Sequence, residues 1–175
     1  PTDEEAAAAG FQSAVSKLPG KLRDDANEHY LLSGVPMEVV QTILTNGMDE
    51  RFSGSNAGTA FGHGIYFAED SAKCDQYTKS PDMDGGKMPN SMYPDLQQHP
   101  VHVDAPGGVN YCFICRVILG CHVRTKDGRT CLDSGAVKNN SLWAETQRKQ
   151  LGEVAGVAAN IHYHSLLVEL GGAIA

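Results

Sequence analysis

A chain of 175 residues has the length of one domain and can bury a core without metals or disulfides. Hydrophobic content of 41% and charged content of 20% are those of an ordinary soluble globular protein. A formal net charge of −7 disfavours a nucleic-acid-binding surface, which needs a positive surplus, and no local basic patch stands out. The five cysteines, Cys74, Cys112, Cys115, Cys121 and Cys131, are odd in number in a chain that is not small. They predict reduced thiols and an intracellular setting, nuclear or cytoplasmic, rather than a disulfide framework. No apolar run is long enough to span a bilayer, so no membrane partner is expected.

In chain order, residues 1–10 are acidic and alanine-rich and predict a disordered leader. They lack the basic start and apolar centre of a signal peptide. Because the chain starts at Pro1 rather than Met, processing or excision from a longer chain is expected. Phe11 to Leu18 predicts a short helix stopped by Pro19-Gly20. Asp24 to Glu28 reads as a polar loop, and His29 to Gly34 as a short strand entering a glycine turn. Pro36 suits the start of a helix whose Val39, Val40, Ile43 and Leu44 share one face, and Asn46-Gly47 ends it. Met48 to Thr59 is an irregular loop, and Asp70 to Tyr77 a short helix capped by Asp70 or Ser71. Lys79 to Asn110 is a long loop rich in Pro, Gly, Asp and His, a type that is usually functional or mobile. Tyr111 to Gly120 is almost continuously apolar and predicts a central strand. Lys126-Asp127-Gly128 signals a turn. A helix is expected around Leu142–Leu151 and a last strand over Ile161–Leu170.

The most informative stretch is Gly58-Thr59-Ala60-Phe61-Gly62-His63-Gly64-Ile65-Tyr66-Phe67-Ala68-Glu69. Glycines at this density let a backbone approach a ligand closely, since no Cβ intervenes. Tyr66 and Tyr77 can each offer a flat face and a polar tip. The competing reading is a glycine-rich hairpin feeding a core strand. A dinucleotide-binding turn is excluded, because no helix starts directly after it and a third glycine is missing from the spacing.

Taken in order, these segments resemble the catalytic domain of the poly(ADP-ribose) polymerases, the diphtheria-toxin-like ADP-ribosyltransferases. Leu31-Leu32-Ser33-Gly34-Val35 stands where the family has an apolar-His-Gly-Thr/Ser stretch. Ile43 to Arg51 resembles its helix end and following Glu-Arg loop, and Phe61 to Glu69 its Gly-x-Gly-Ile-Tyr-Phe-Ala turn. Tyr111 to Gly120 is similar to the strand after the donor-site loop. The matching segments run from about Asn27 to Gly120. The resemblance implies an α+β fold, two mostly antiparallel sheets around an NAD cleft, in a catalytic domain over residues 11–175. It implies transfer of ADP-ribose from NAD to a protein or nucleic-acid acceptor, with release of nicotinamide. Gly34 would grip the nicotinamide carboxamide through its backbone. Tyr77 would stack on the ring, and Tyr66, the tyrosine of the family's His-Tyr-Glu triad, would close the other side of the pocket beside Gly64. Cys74 stands where the family usually has a serine that hydrogen-bonds the carboxamide oxygen, and a thiol is a weaker donor. Arg51 would lie toward the adenosine end, and Lys79 to Asn110 would cover the donor site.

Two departures bear on activity. Ser33 replaces the triad histidine, and His29 is in the wrong register to substitute for it. The triad glutamate is not found. His164-Ser165-Leu166 resembles the segment shortly before the glutamate-bearing strand, so that strand is expected to be missing from this chain, with Glu169 the only local rival. Weak or absent turnover follows as an expectation. A catalytically silent NAD-binding or protein-interaction module of the same fold is the alternative. An RNA 2′-phosphotransferase, which needs a basic phosphate grip, is disfavoured by the charge, and a plain structural fragment is the remaining reading. His99-x2-His102 and Cys112-x2-Cys115 have spacings that suit zinc, as in the tankyrases of the same family. Residues three apart on a strand point to opposite faces, however, so zinc is disfavoured and no metal ligand is assigned. His162 and His164 read as surface residues and Trp143 as a packing residue.

Overall fold

A computed structural model of the chain describes residues 2–52, 60–78 and 111–169. Its elements are helix α1 (Asp3–Val15), strand β1 (Glu28–Gly34), helices α2 (Met37–Asn46) and α3 (Ser71–Thr78), and strands β2 (Cys112–Ile118), β3 (His122–Thr125) and β4 (Ser165–Val168). This is a mixed α+β chain with small sheets. β1 pairs with β2, and β3 with β4. The chain divides into two compact, sequence-interleaved units. One holds residues 1–20, 30–48 and 66–116, the other residues 21–29, 49–65 and 117–175.

The N-terminus differs from expectation. Residues 1–10, read as a disordered leader, lie mostly within α1. The Thr2 hydroxyl accepts the Glu5 amide while the Glu5 carboxylate accepts the Thr2 amide. This reciprocal capping box satisfies two donors that a helix start leaves unpaired, and the alanines that follow are the best helix formers. In the first unit, α1 contacts α3. α2 starts after Pro36 and ends at Gly47, whose amide donates to the Ile43 carbonyl. Val40 is buried while Val39 and Leu44 are exposed. β2 was expected to be central. Among the described residues it pairs with β1 alone and leaves Cys112, Arg116 and Ile118 exposed.

The second unit is built on a parallel pair, with His122 opposite Ser165 and Thr125 opposite Val168. The sheets were expected to be mostly antiparallel; this ladder is parallel, while the isolated bridges around it are antiparallel. A parallel pair needs a long crossover, and residues 126–164 supply it. That connection contains no helix at Leu142–Leu151. It folds back on itself instead, bridging Trp143 to Leu151. The Ala144 amide donates to the Gln150 carbonyl, and the Gly152 amide to the Leu142 carbonyl. Helix formation loses here because the Glu145 carboxylate captures the Gln147 and Lys149 amides, and Arg148 adopts a left-handed φ of 54°. The fold-back brings Leu142 and Leu151 together in one core with Val123 and Val137, against which Cys131, Trp143, Tyr163 and Leu166 pack.

At the end of β3, Thr125 is wholly buried. Its hydroxyl donates to the Thr130 carbonyl at 2.7 Å and accepts the Gly128 amide at 3.0 Å, closing the expected Lys126-Asp127-Gly128 turn. Asp127 accepts the amides of Thr130 and Arg129 and the Thr130 hydroxyl. These bonds, led by the Thr130 and Arg129 amides, hold its carboxyl well below the usual carboxylate range. Replacing Thr125 by Val keeps its shape but strands a buried amide and a carbonyl. Urea unfolding of Thr125→Val is expected to show a loss of about 1–3 kcal/mol. A group with a depressed native pKa stabilises the fold above its unfolded value, and loses that effect as pH falls through the native one. Stability should therefore decline as pH drops below about 4. Asp127→Asn, measured over the same pH series, should show a shallower decline than the parent chain.

Candidate functional site

Within the first unit, β1 and the stretch before α3 meet through one antiparallel bridge. The Leu32 amide donates to the Ala68 carbonyl and the Ala68 amide to the Leu32 carbonyl, both at 2.8 Å. Carried two residues along, that register leads to Gly34 on one side and Tyr66 on the other. The Ser33 hydroxyl, buried in β1, donates to the Tyr66 carbonyl at 3.4 Å. The expected strand after the glycine turn is thus reduced to a single paired residue, Ala68.

Gly34 is pressed against α3. A Cβ at this position would lie 2.1 Å from the Cys74 carbonyl oxygen and 2.8 Å from its carbonyl carbon. α3 itself begins where the Asp70 carboxylate accepts the Ala72 amide, an N-cap arrangement. It buries Cys74 and Thr78, and the Thr78 hydroxyl closes the last turn on the Asp75 carbonyl. Tyr77 is thereby turned outward and stays 47% exposed, and Tyr66 is 41% exposed. The Lys73 ammonium stands 5.6 Å from the centre of the Tyr77 ring, within cation–π range, and also donates to the Gln76 amide oxygen. Burial pushes the Cys74 thiol up, and Cys112, Asp70 and Cys115 nearby add to this. A hydrogen bond from the Gly34 backbone opposes it. The Cys74 side chain offers a weak S–H donor.

Ser33, Gly34, Tyr66 and Cys74 are thus brought together, with Tyr77 one helical turn beyond Cys74. Gly64 belongs to the second unit, where space for a Cβ is open around it. The close-packed glycine of that turn is Gly62, at φ 89°.

Other candidates from the sequence have local partners. Arg51 pairs with Asp49 at 2.5 Å. Its hydrogen bonds hold the Asp49 carboxyl below its ordinary value. His29 bonds the Asn27 side chain at 2.9 Å at an exposed edge. His162 lies against the Leu151 carbonyl, and the His164 ring accepts the Cys121 amide. Glu169, at the end of β4, pairs with Arg124 at 2.9 Å, and Asp133 shares that guanidinium. The Arg124–Asp133–Glu169 group joins β3 to a residue nine positions on and to the end of β4, and no local pattern announces it.

All five cysteines are free thiols. Burial pushes the Cys112 and Cys115 thiols up, so a metal would have to displace protons from both. His99 and His102 lie outside the described residues. Among the described residues no group of three or more His, Cys, Asp or Glu side chains could hold a metal ion, and no helix is long and apolar enough to cross a membrane.

Comparison with known families adds to this geometry. The profile of the poly(ADP-ribose) polymerase catalytic domain matches residues 3–160. The chain belongs to that family. Poly(ADP-ribose) polymerase catalytic domains are NAD-dependent ADP-ribosyltransferases, so membership implies the ADP-ribosyltransferase fold and the use of NAD as substrate. The match begins within α1, so the capped N-terminal helix falls inside the polymerase-type domain.

The contact at Gly34 is testable. Its neighbour is backbone, which cannot swing aside, so Gly34→Ala must shift β1 or α3. Overpacking of this kind costs about 1–3 kcal/mol, and chemical denaturation of Gly34→Ala should show at least that loss.

Proposed function

We propose that this chain binds NAD by its nicotinamide end through Ser33, Gly34, Tyr66, Cys74 and Tyr77, and transfers ADP-ribose slowly to a protein or nucleic-acid acceptor. The observation that carries this reading is the convergence on Gly34. The Leu32–Ala68 bridge sets the register toward Tyr66, and the Cys74 backbone packs directly on the glycine. A planar amide held at Gly34 would have two half-exposed tyrosine rings available for stacking. Transfer would pass through an oxocarbenium-like ribosyl cation as neutral nicotinamide leaves, with the carboxamide held by the Gly34 backbone.

Slow turnover follows from what replaces the catalytic groups. Ser33 in place of histidine loses a hydrogen bond to the adenosine ribose. That loss is worth about 0.5–1.5 kcal/mol, roughly tenfold or less in affinity. With Glu169 in the role of electrostatic stabiliser, its loss to another partner would cost about 2.7–4 kcal/mol of barrier, a hundred- to a thousandfold in rate. The second effect dominates. Glu169, the local rival for that role, is engaged with Arg124. That engagement, together with Ser33, favours the second reading, a silent module that binds NAD or a protein partner without turnover.

Nicotinamide is expected to raise the melting temperature of the full chain. In calorimetry, Tyr77→Ala should weaken nicotinamide binding by about three- to tenfold, the worth of one aromatic stack. Cys74→Ser should strengthen it, because a hydroxyl donates better than a thiol. With labelled NAD, automodification should be slow. Its complete absence alongside intact binding would select the silent module, and no binding of nicotinamide or NAD would overturn the transfer reading and leave only a module that binds a protein partner.

A further inference from the structure

Within the first unit, α3 places Lys73 and Tyr77 one turn apart on one face, because residues four apart are neighbours along a helix. Cys74 and Thr78 take the buried side. The Tyr77 ring therefore stands half-exposed, with the Lys73 ammonium over it, 5.6 Å from its centre. The Gln76 amide oxygen accepts from the same ammonium at 3.1 Å and helps to keep it there. Neither of these partners is a carboxylate, so neither offsets the charge beside the ring. A cation over an aromatic face draws on the negative potential of that face. A second cation brought to the same ring meets a weakened attraction and the repulsion of the first. A neutral ring stacked there meets neither.

We infer that Lys73 makes Tyr77 selective for the charge of the ring it stacks on, favouring neutral nicotinamide over a cationic pyridinium. This rests on the reading of Tyr77 as the stacking residue of the nicotinamide site. The distinction matters because NAD carries its nicotinamide as a pyridinium. When the bond between the ring nitrogen and the ribose C1′ breaks, its electron pair goes to nitrogen. The ring leaves neutral, and the positive charge passes to the ribosyl cation. Lys73 thus opposes the charged ring of the substrate and not the neutral ring of the product. Gly34 and Cys74 would meet the carboxamide, which is common to both charge states, so the discrimination falls to the residue that faces the ring.

The test measures affinity on the full chain by calorimetry, with two probes that share the carboxamide and differ in ring charge. They are nicotinamide and 1-methylnicotinamide, whose methyl group sits on the nitrogen that carries ribose in NAD. Lys73→Met keeps an unbranched side chain and removes the charge, and Lys73→Gln is a second neutral variant should the first not fold. Either is expected to tighten 1-methylnicotinamide by about two- to fivefold, the worth of one exposed cation–π contact. Nicotinamide affinity should move by less than about twofold. Lys73→Arg, which keeps the charge, should keep the parent's preference. Between about 0.01 and 1 M salt, where the screening length falls from about 30 to 3 Å, the difference between the parent and Lys73→Met should shrink. Parallel changes in both probes would make Lys73 a packing residue and overturn the inference. Unchanged 1-methylnicotinamide affinity in the neutral variants, or a gain that ignores salt, also overturns it. Failure of the parent and the neutral variants alike to bind either probe overturns the reading of the site itself, and the inference with it.

Discussion

Gly34 and the Cys74 backbone approach so closely that no side chain fits between them, and the arrangement of the first unit follows from that contact. A strand end cannot pack on a helix backbone at this distance with a Cβ present. Because β1 seats on α3 at Cys74, the helix presents Cys74 and Thr78 inward and Tyr77 outward. The Leu32–Ala68 bridge sets the register of β1 toward Tyr66, whose carbonyl accepts the Ser33 hydroxyl. Buried apolar residues of this unit include Leu32 and Val40.

The second unit solves a different problem. A parallel pair of short strands has to be joined by a long connection, and most of that connection is irregular. Its order comes from polar closure at both ends. Thr125 and Asp127 satisfy the backbone of the turn after β3, and Arg124 ties Asp133 to Glu169 across the ladder. These ion pairs are half-exposed and each contributes modestly. The Thr125 hydroxyl, wholly buried, matters more, because an unsatisfied buried amide is costly. Between the two ends, the fold-back backs the glycine turn: the Arg148 guanidinium donates to the Ala60 carbonyl, the Arg148 carbonyl accepts the His63 amide, and the Trp143 indole lies against Gly62.

The proposed reading separates binding from chemistry. Ser33 meets Tyr66 and Gly34 meets Cys74 within the first unit, whereas Glu169 is engaged by Arg124. Weakening one ribose contact and losing one electrostatic stabiliser differ in consequence by about one to two orders of magnitude, so on that reading affinity for NAD would outlast rate.

Local signals were legible where local physics decides. The glycine turn, the helix after Pro36, the Asp70 cap, the Lys126-Asp127-Gly128 turn and the β1 and β2 strands all stand within a few residues of where the sequence puts them. In each case propensity, capping and turn chemistry act within one segment. The capping box at Thr2 and Glu5 was equally readable, but the acidic, alanine-rich composition around it pointed to disorder. The stretch from Leu142 to Leu151 misled because apolar residues spaced along it suit a helix, while the Glu145 carboxylate and a left-handed Arg148 favour a fold-back that joins both leucines to one core. The sequence by itself determined the family and the glycine turn. Only the tertiary structure decided that Gly34 must be glycine because of Cys74, that Glu169 is held by Arg124, and that Trp143 and Arg148 hold the turn. Those are contacts between segments distant along the chain, and no periodicity or spacing encodes which distant backbone will come within a van der Waals radius.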